Sequence, residues 1–152
     1  MSRYDDILAA LATLLGTIRV FNSYATDGGL HVHKNLEYQT APADKPCIIY
    51  YPGDVTDSLD GDPPPSNGEE NHTLPVRIEG IISDTERGDQ GELLRIDILR
   101  ALKSDRLLGG LTEGHGSSIS SSSAIEDAGD QGFLGFVQVD LAIHYVTLYG
   151  EQ

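Results

Sequence analysis

Cations are scarce in this sequence. Ten Lys and Arg stand against 24 Asp and Glu in 152 residues, for a formal net charge of −14. The shortage excludes a protein that grips nucleic acid by its phosphates, where a basic face supplies most of the affinity. It also excludes a polybasic binder of membrane surfaces. Cysteine is nearly missing. Cys47 alone can close no intramolecular disulfide and build no Cys-rich zinc site, and its place in the run Cys47-Ile48-Ile49-Tyr50-Tyr51 marks a small buried hydrophobe. There is no tryptophan and no apolar run long enough to span a bilayer. Met-Ser-Arg-Tyr-Asp-Asp carries no basic stretch leading into an apolar one, so the sequence predicts a soluble product made in the cytoplasm. The length suits one domain with a single core.

What is present reads as two helices and a set of strands. Tyr4, Ile7, Leu8, Leu11, Leu14, Leu15 and Ile18 recur at spacings of three and four, behind Ser2 as N-cap and Asp5 and Asp6 where the helix dipole favours negative charge. Arg19–Tyr24 and Leu30–Leu36 flank the turn signal Thr26-Asp27-Gly28-Gly29, which predicts a hairpin. Pro46–Tyr51 is a third strand, apolar throughout as a well-covered strand is. Residues 53–72 change character: Asp54, Asp57, Asp60, Asp62, Glu69 and Glu70 accompany Pro63-Pro64-Pro65, too little apolar surface to fold alone. This segment reads as a loop inserted between two strands of one sheet.

Thr73–Ile82 resumes strand character, with Leu74, Val76, Ile78, Gly80 and Ile82 on one face. Ser83-Asp84-Thr85-Glu86 is a capping-box pattern. The helix behind it places Leu94, Ile98, Leu99 and Leu102 on a stripe and ends near Lys103, although Gly88 and Gly91 move its start toward Gln90. Phe133–Tyr145 is the strongest strand, with Phe133, Val137, Val139, Leu141, Ile143 and Tyr145 on one face and Gln138, Asp140 and His144 on the other. Ser117–Ile125 is its partner, turned back through residues 126–132. Together these predict an α+β fold, a mostly antiparallel β-sheet with two amphipathic helices packed on one face.

Catalytic signatures are hard to find. His31 and His33 share a predicted strand face without a third ligand nearby, and the acidic loop lacks EF-hand spacing. Gly114-His115-Gly116 follows a helix instead of joining a strand to one, so it is no phosphate loop. Asp140 and His144 lack an identifiable nucleophile. No motif calls for a cofactor or a metal. Candidate contact residues remain: the six loop acids just named, and Arg77, Arg87, Arg95 and Arg100, scarce cations suited to acids across a subunit boundary or within the chain.

Several segments stand in a telling order. The short N-terminal helix ends near Ile18, and Pro46-Cys47-Ile48-Ile49 follows an irregular stretch. Val76-Arg77-Ile78-Glu79-Gly80 comes next, and then Leu93–Leu102 runs into Asp105-Arg106-Leu107-Leu108-Gly109-Gly110-Leu111. A long last strand carries Tyr145, with Tyr149 beyond it. In this order they resemble the tail terminator family of long-tailed bacteriophages, the lambda-type minor tail proteins, over most of the chain as architecture. The resemblance implies a sheet packed by two helices and assembled as a homohexameric ring. The ring would seat on the last ring of tail tube protein, stop polymerisation, and offer its other face to the head connector. It would sit at the head-proximal end of the tail in the virion, with genomic DNA passing through the lumen unbound. The acidic loop Gly53–His72 departs from the family pattern and leaves open a related neck or tail-completion role. A small acidic metal-binding enzyme with a site near His31, His33 and the loop is the distant alternative.

The charge suits a ring on independent grounds. Carboxylates lining a lumen repel phosphates within a Debye length of about 8 Å at physiological salt. Six copies at −14 each carry a formal −84, so assembly works against self-repulsion.

Overall fold

The computed structural model describes residues 2–35, 46–57, 69–84, 90–112, 116–129 and 132–148. In chain order these form α1 (Arg3–Gly16), β1 (Val32–Lys34), β2 (Cys47–Pro52), β3 (Thr56–Asp57), β4 (Glu69–Asp84), α2 (Gln90–Ser104), β5 (Ser117–Gly129) and β6 (Gly132–Leu148). The strands make one mixed sheet in the order β1-β2-β4-β6-β5, with β3 paired to β4. Every pairing is antiparallel except that of β1 with β2. The fold is α+β, as the sequence predicts.

Periodicity explains the layers. Ser2 Oγ accepts the Asp5 N–H at 3.2 Å, capping α1 ahead of its two first-turn aspartates. The stripe Ile7, Leu8, Leu11 and Leu15 then turns onto the sheet. In β4 and β6 alternate residues (Leu74, Val76, Ile78 and Ile82; Val137, Val139, Leu141, Ile143 and Tyr145) meet both helices in one core. Leu94, Ile98, Ala101 and Leu102 are the contribution of α2. A smaller cluster of Cys47, Ile49 and Ile81, with Tyr51 and Phe136 against it, lies on the opposite side of the sheet. Cys47 is the fully buried hydrophobe its sequence context predicts.

Four expectations are corrected. Arg19–Tyr24 and Leu30–Leu36 do not pair as a hairpin. Val20–Asn22 and Gly28–Leu30 are 3-10 turns, and β1 runs parallel beside β2, with Val32 opposite Ile48. The reason lies in the acceptors: Asp27 Oδ1 takes the Val20 N–H at 2.9 Å, and Ile18 O takes the Gly29 N–H at 2.8 Å, which folds the chain back on itself before a ladder can form. Second, Ser83 and Asp84 do not begin a helix; they continue β4 opposite Leu134 and Phe133. Third, β4 starts at Glu69 instead of Thr73, and β5 runs on to Gly129, since long antiparallel partners extend one another past the point where side-chain alternation weakens. Fourth, His31 precedes β1, so it and His33 are not two residues of one strand. Thr85, Glu86 and the glycine loop at 113–115 lie outside the described residues. Among those described, no helix is long and apolar enough to cross a membrane.

Candidate functional site

The two faces of the sheet differ in what they offer. On the side away from the helices an open groove of about 750 Å³ runs across the middle strands. Tyr51, Pro52 and Pro75 give it apolar walls, and Arg77, Glu79 and Asp140 give it charge. Cross-strand register puts Arg77 opposite Asp140. Arg77 Nε donates to Asp140 Oδ1 at 3.3 Å, and the Ser121 hydroxyl donates to Oδ2 at 2.8 Å. The Ser121 hydroxyl first, then Arg77, holds the Asp140 carboxyl below its ordinary range. His144, four residues on, shares a hydrogen bond with Thr73 instead. The pair considered from sequence as a dyad therefore takes separate partners, Asp140 with Arg77 and Ser121 and His144 with Thr73.

A second recess, about 260 Å³, opens where the first turn of α1 meets the end of the sheet, between Ser2, Tyr4, Val55, Asp57, His72, Tyr145 and Thr147. His72 is buried at 7% exposure and bridges three strands. A carboxylate only accepts, so Nδ1 carries a proton and donates to Asp57 on β3; in the neutral ring Nε2 then accepts the Thr147 hydroxyl at 2.7 Å. Tyr145 packs its ring 4.9 Å from the imidazole. Burial first, then Asp57 and Tyr4, pushes the Tyr145 phenol up, so it stays protonated.

Acid, imidazole and hydroxyl in a row is the connectivity that activates a nucleophile in hydrolases. Electrostatics oppose that use here. Thr147 is 4% exposed, and Glu70 Oε2 lies 3.8 Å from Nε2, so an oxyanion forming beside the hydroxyl would face a carboxylate. The relay fastens β3, and with it the start of the acidic segment, to β4 and β6. Two of the acids singled out in the sequence, Asp57 and Glu70, are brought together by it.

Protein-family models and curated proteins were both searched, and neither contains a match to this chain.

The other candidate residues scatter. Asp54 is exposed beyond β2, and Glu69 opens β4. Asp60, Asp62 and Arg87 lie outside the described residues. Arg95 binds Glu92 one turn back and donates to Ser122 Oγ at 3.0 Å, tying α2 to β5. Arg100 Nη1 donates to Ser23 O at 2.6 Å, and its guanidinium stacks 4.6 Å from the centre of the Tyr24 ring. Arg77, Arg95 and Arg100 thus all find partners within the chain. The His31 and His33 rings stack 6.5 Å apart. Among the described residues no three His, Cys, Asp or Glu side chains converge as metal ligands.

Sequence reasoning missed the residue that organises the loop before β1. Asp97 on α2, 2% exposed, takes the Ala25 N–H on Oδ1 at 3.1 Å and both the Thr26 N–H and hydroxyl on Oδ2, each at 2.7 Å. The signal was available: Asp97 sits three residues after Leu94 and four before Ala101, a charge in phase with the apolar stripe.

A pH prediction follows from three paired carboxylates. Asp27 is held low by the Val20 N–H and then Arg19, Glu92 by Arg95, and Asp140 as above. Depressed in the folded state, each contributes stability that is present above its unfolded value near 4 and is lost as pH falls through the folded one. All three are more than a third exposed, so screening keeps the contribution modest. The urea midpoint should decline from about pH 5 to pH 3, and less steeply in high salt. A midpoint flat across that window would show the pairs to be inert.

Proposed function

We propose that this chain is the repeating subunit of a phage tail terminator, a ring that caps the tail tube and joins it to the head. The observation that carries the reading is the free edge of the sheet. Among the described residues β5 pairs as a strand with β6 alone, so alternate residues of this 13-residue strand turn their backbone groups outward, with Arg106 covering those of Ser117 at its start. Such an edge is a template for another chain unless it is blunted or covered. Both helices cover the same face, and the other face holds an open, mixed groove instead of an enclosed cavity. Surfaces of this kind suit packing between subunits better than turnover of a small substrate. The charge of −14 per copy suits a lumen through which DNA passes unbound.

Electron microscopy of particles from a phage whose copy of this gene carries a stop codon tests the reading. Overlong, ragged tubes are expected. Tails of normal length lying apart from filled heads would instead assign the protein to the neck. Self-repulsion also predicts that ring assembly strengthens with added salt or divalent cations, followed by sedimentation across a salt series. Assembly that weakens steadily as salt rises would contradict it.

A further inference from the structure

The loop between α1 and β1 is built to hold a hydrophobic knob still in water. Phe21 is 75% exposed and Val20 55%, with the Arg19 guanidinium 5.0 Å from the centre of the Phe21 ring, yet several hydrogen bonds brace the backbone beneath them. Asp27 holds the Val20 N–H and the Arg19 guanidinium. Asp97 holds Ala25 and Thr26, Arg100 holds Ser23, and Gly28 is buried in the shell of Leu94, Ile48 and Thr26. Exposed aromatic surface is costly to leave in water, and rigid presentation of it removes the ordering cost of binding.

On the other flank of α2 lies a cleft of about 420 Å³, formed by Leu102, Lys103, Arg106, Ser117, Ser118 and Ile119. Its floor is apolar, since Leu102 is buried and Ile119 partly so, and its rim carries two of the ten cations in the sequence. Knob and cleft sit at opposite ends of the sheet order. The loop leads directly into β1, the first strand of that order, and Ser117–Ile119 belong to β5, the last. Helix α2 stands between them, with Asp97 and Arg100 reaching the loop and Arg95 reaching β5.

We propose that Phe21 of one copy seats in the Leu102–Ile119 cleft of the next, and that this contact is the seam of the ring. The proposal rests on the ring reading and names its interface. Charge supports a second copy as the occupant. The local ion pair of Asp27 with Arg19 leaves the knob itself near neutral, and the rim cations Lys103 and Arg106 meet a second copy that carries a formal −14 overall. The geometry also supports it: a knob and a cleft on different surfaces make a head-to-tail contact, the kind from which rings are built when the rotation between copies closes. The apolar knob keeps its affinity in salt that screens the net repulsion, consistent with assembly favoured at raised ionic strength.

Two variants at exposed positions test it in the full chain, by sedimentation with and without purified tail tubes. Phe21→Ser removes the knob and should weaken assembly on the order of 100-fold. Ser118→Trp fills the cleft and should do the same. Mixed together, the two leave one sound pair of surfaces, Phe21 of the cleft-filled chain and the open cleft of the other, so the mixture should stop at dimers. Urea unfolding of each variant confirms that the fold is intact. Either variant forming rings like the parent overturns the seam and leaves the ring reading standing. A parent chain that assembles neither alone nor on tubes overturns both.

Discussion

Replacing Asp97 with alanine is expected to cost about 4 kcal/mol of stability and to lower the melting temperature on the order of 10 °C. The side chain is 2% exposed and accepts three hydrogen bonds, two from backbone N–H groups and one from the Thr26 hydroxyl. Bonds to an ionised acceptor are worth more than neutral ones, and a buried donor left without a partner forfeits its full hydration, about 1–3 kcal/mol each. The hydroxyl can rotate toward another acceptor, but the Thr26 N–H is fixed by the backbone. The loss therefore exceeds that of a surface cap yet falls short of three full penalties. Asparagine should land between: one oxygen still accepts, while its NH₂ confronts donors where the second oxygen stood. Thr26→Val removes one donor to Asp97 and the acceptor of the Gly28 N–H, and should cost about 1–2 kcal/mol. Urea denaturation orders the series, and Asp97→Ala within about 0.5 kcal/mol of the parent would refute the account. Amide exchange in residues 20–30 should quicken in the alanine variant before the sheet opens. Ring assembly should fall with it although Phe21 is untouched, because the knob then pays its ordering cost at binding.

How much of this was legible in the sequence depended on how far each determinant lay from what it determines. Helix α1, the apolar faces of β4 and β6, and the stripe of α2 follow from periodicity within a dozen residues, and they stand where the sequence places them. The long antiparallel ladder between β4 and β6 overrode the local capping pattern at Ser83, because pairing with Leu134 decided that residue's conformation. The loop at 19–30 departs from its local pattern for a similar reason. Its β-branched and aromatic residues suggest strands, but the acceptor that fixes Ala25 and Thr26 is Asp97, more than seventy positions away. The His72 relay was half legible. Its even number puts it in phase with Leu74 and Val76, hence inward, but no local pattern names Asp57 or Thr147 as its partners. Phe21 carried no signal, since an exposed aromatic is recognisable only once the surface is known.

The second large effect is expected at Gly135, where β6 passes beneath the first turn of α2. A Cβ there would lie 2.7 Å from both Cα and N of Gly91 and 2.8 Å from Ile82 Cγ2. Two of these three obstacles are backbone, which cannot swing aside as a side-chain tip does, so relief requires the whole N-terminal turn of α2 to lift off the sheet. Gly135→Ala should therefore cost about 1–3 kcal/mol, and Gly135→Val more, against the small gain in unfolded-state entropy that alanine brings elsewhere. Gly16, at the end of α1, is the control. A Cβ added there meets nothing within 4 Å, and Gly16→Ala should be neutral or stabilising by up to about 1 kcal/mol. Chemical denaturation separates the two, and Gly135→Ala as stable as Gly16→Ala would mean that α2 is not seated on β6 as described. Lifting α2 reaches further than the clash. Leu94 and Ile98 leave the core together with Asp97, which loosens the brace on the Phe21 loop, and Leu102 leaves the floor of the cleft on the other flank. One glycine on β6 thus controls both proposed halves of the seam, so Gly135→Val should abolish assembly at denaturant concentrations where the sheet itself remains folded.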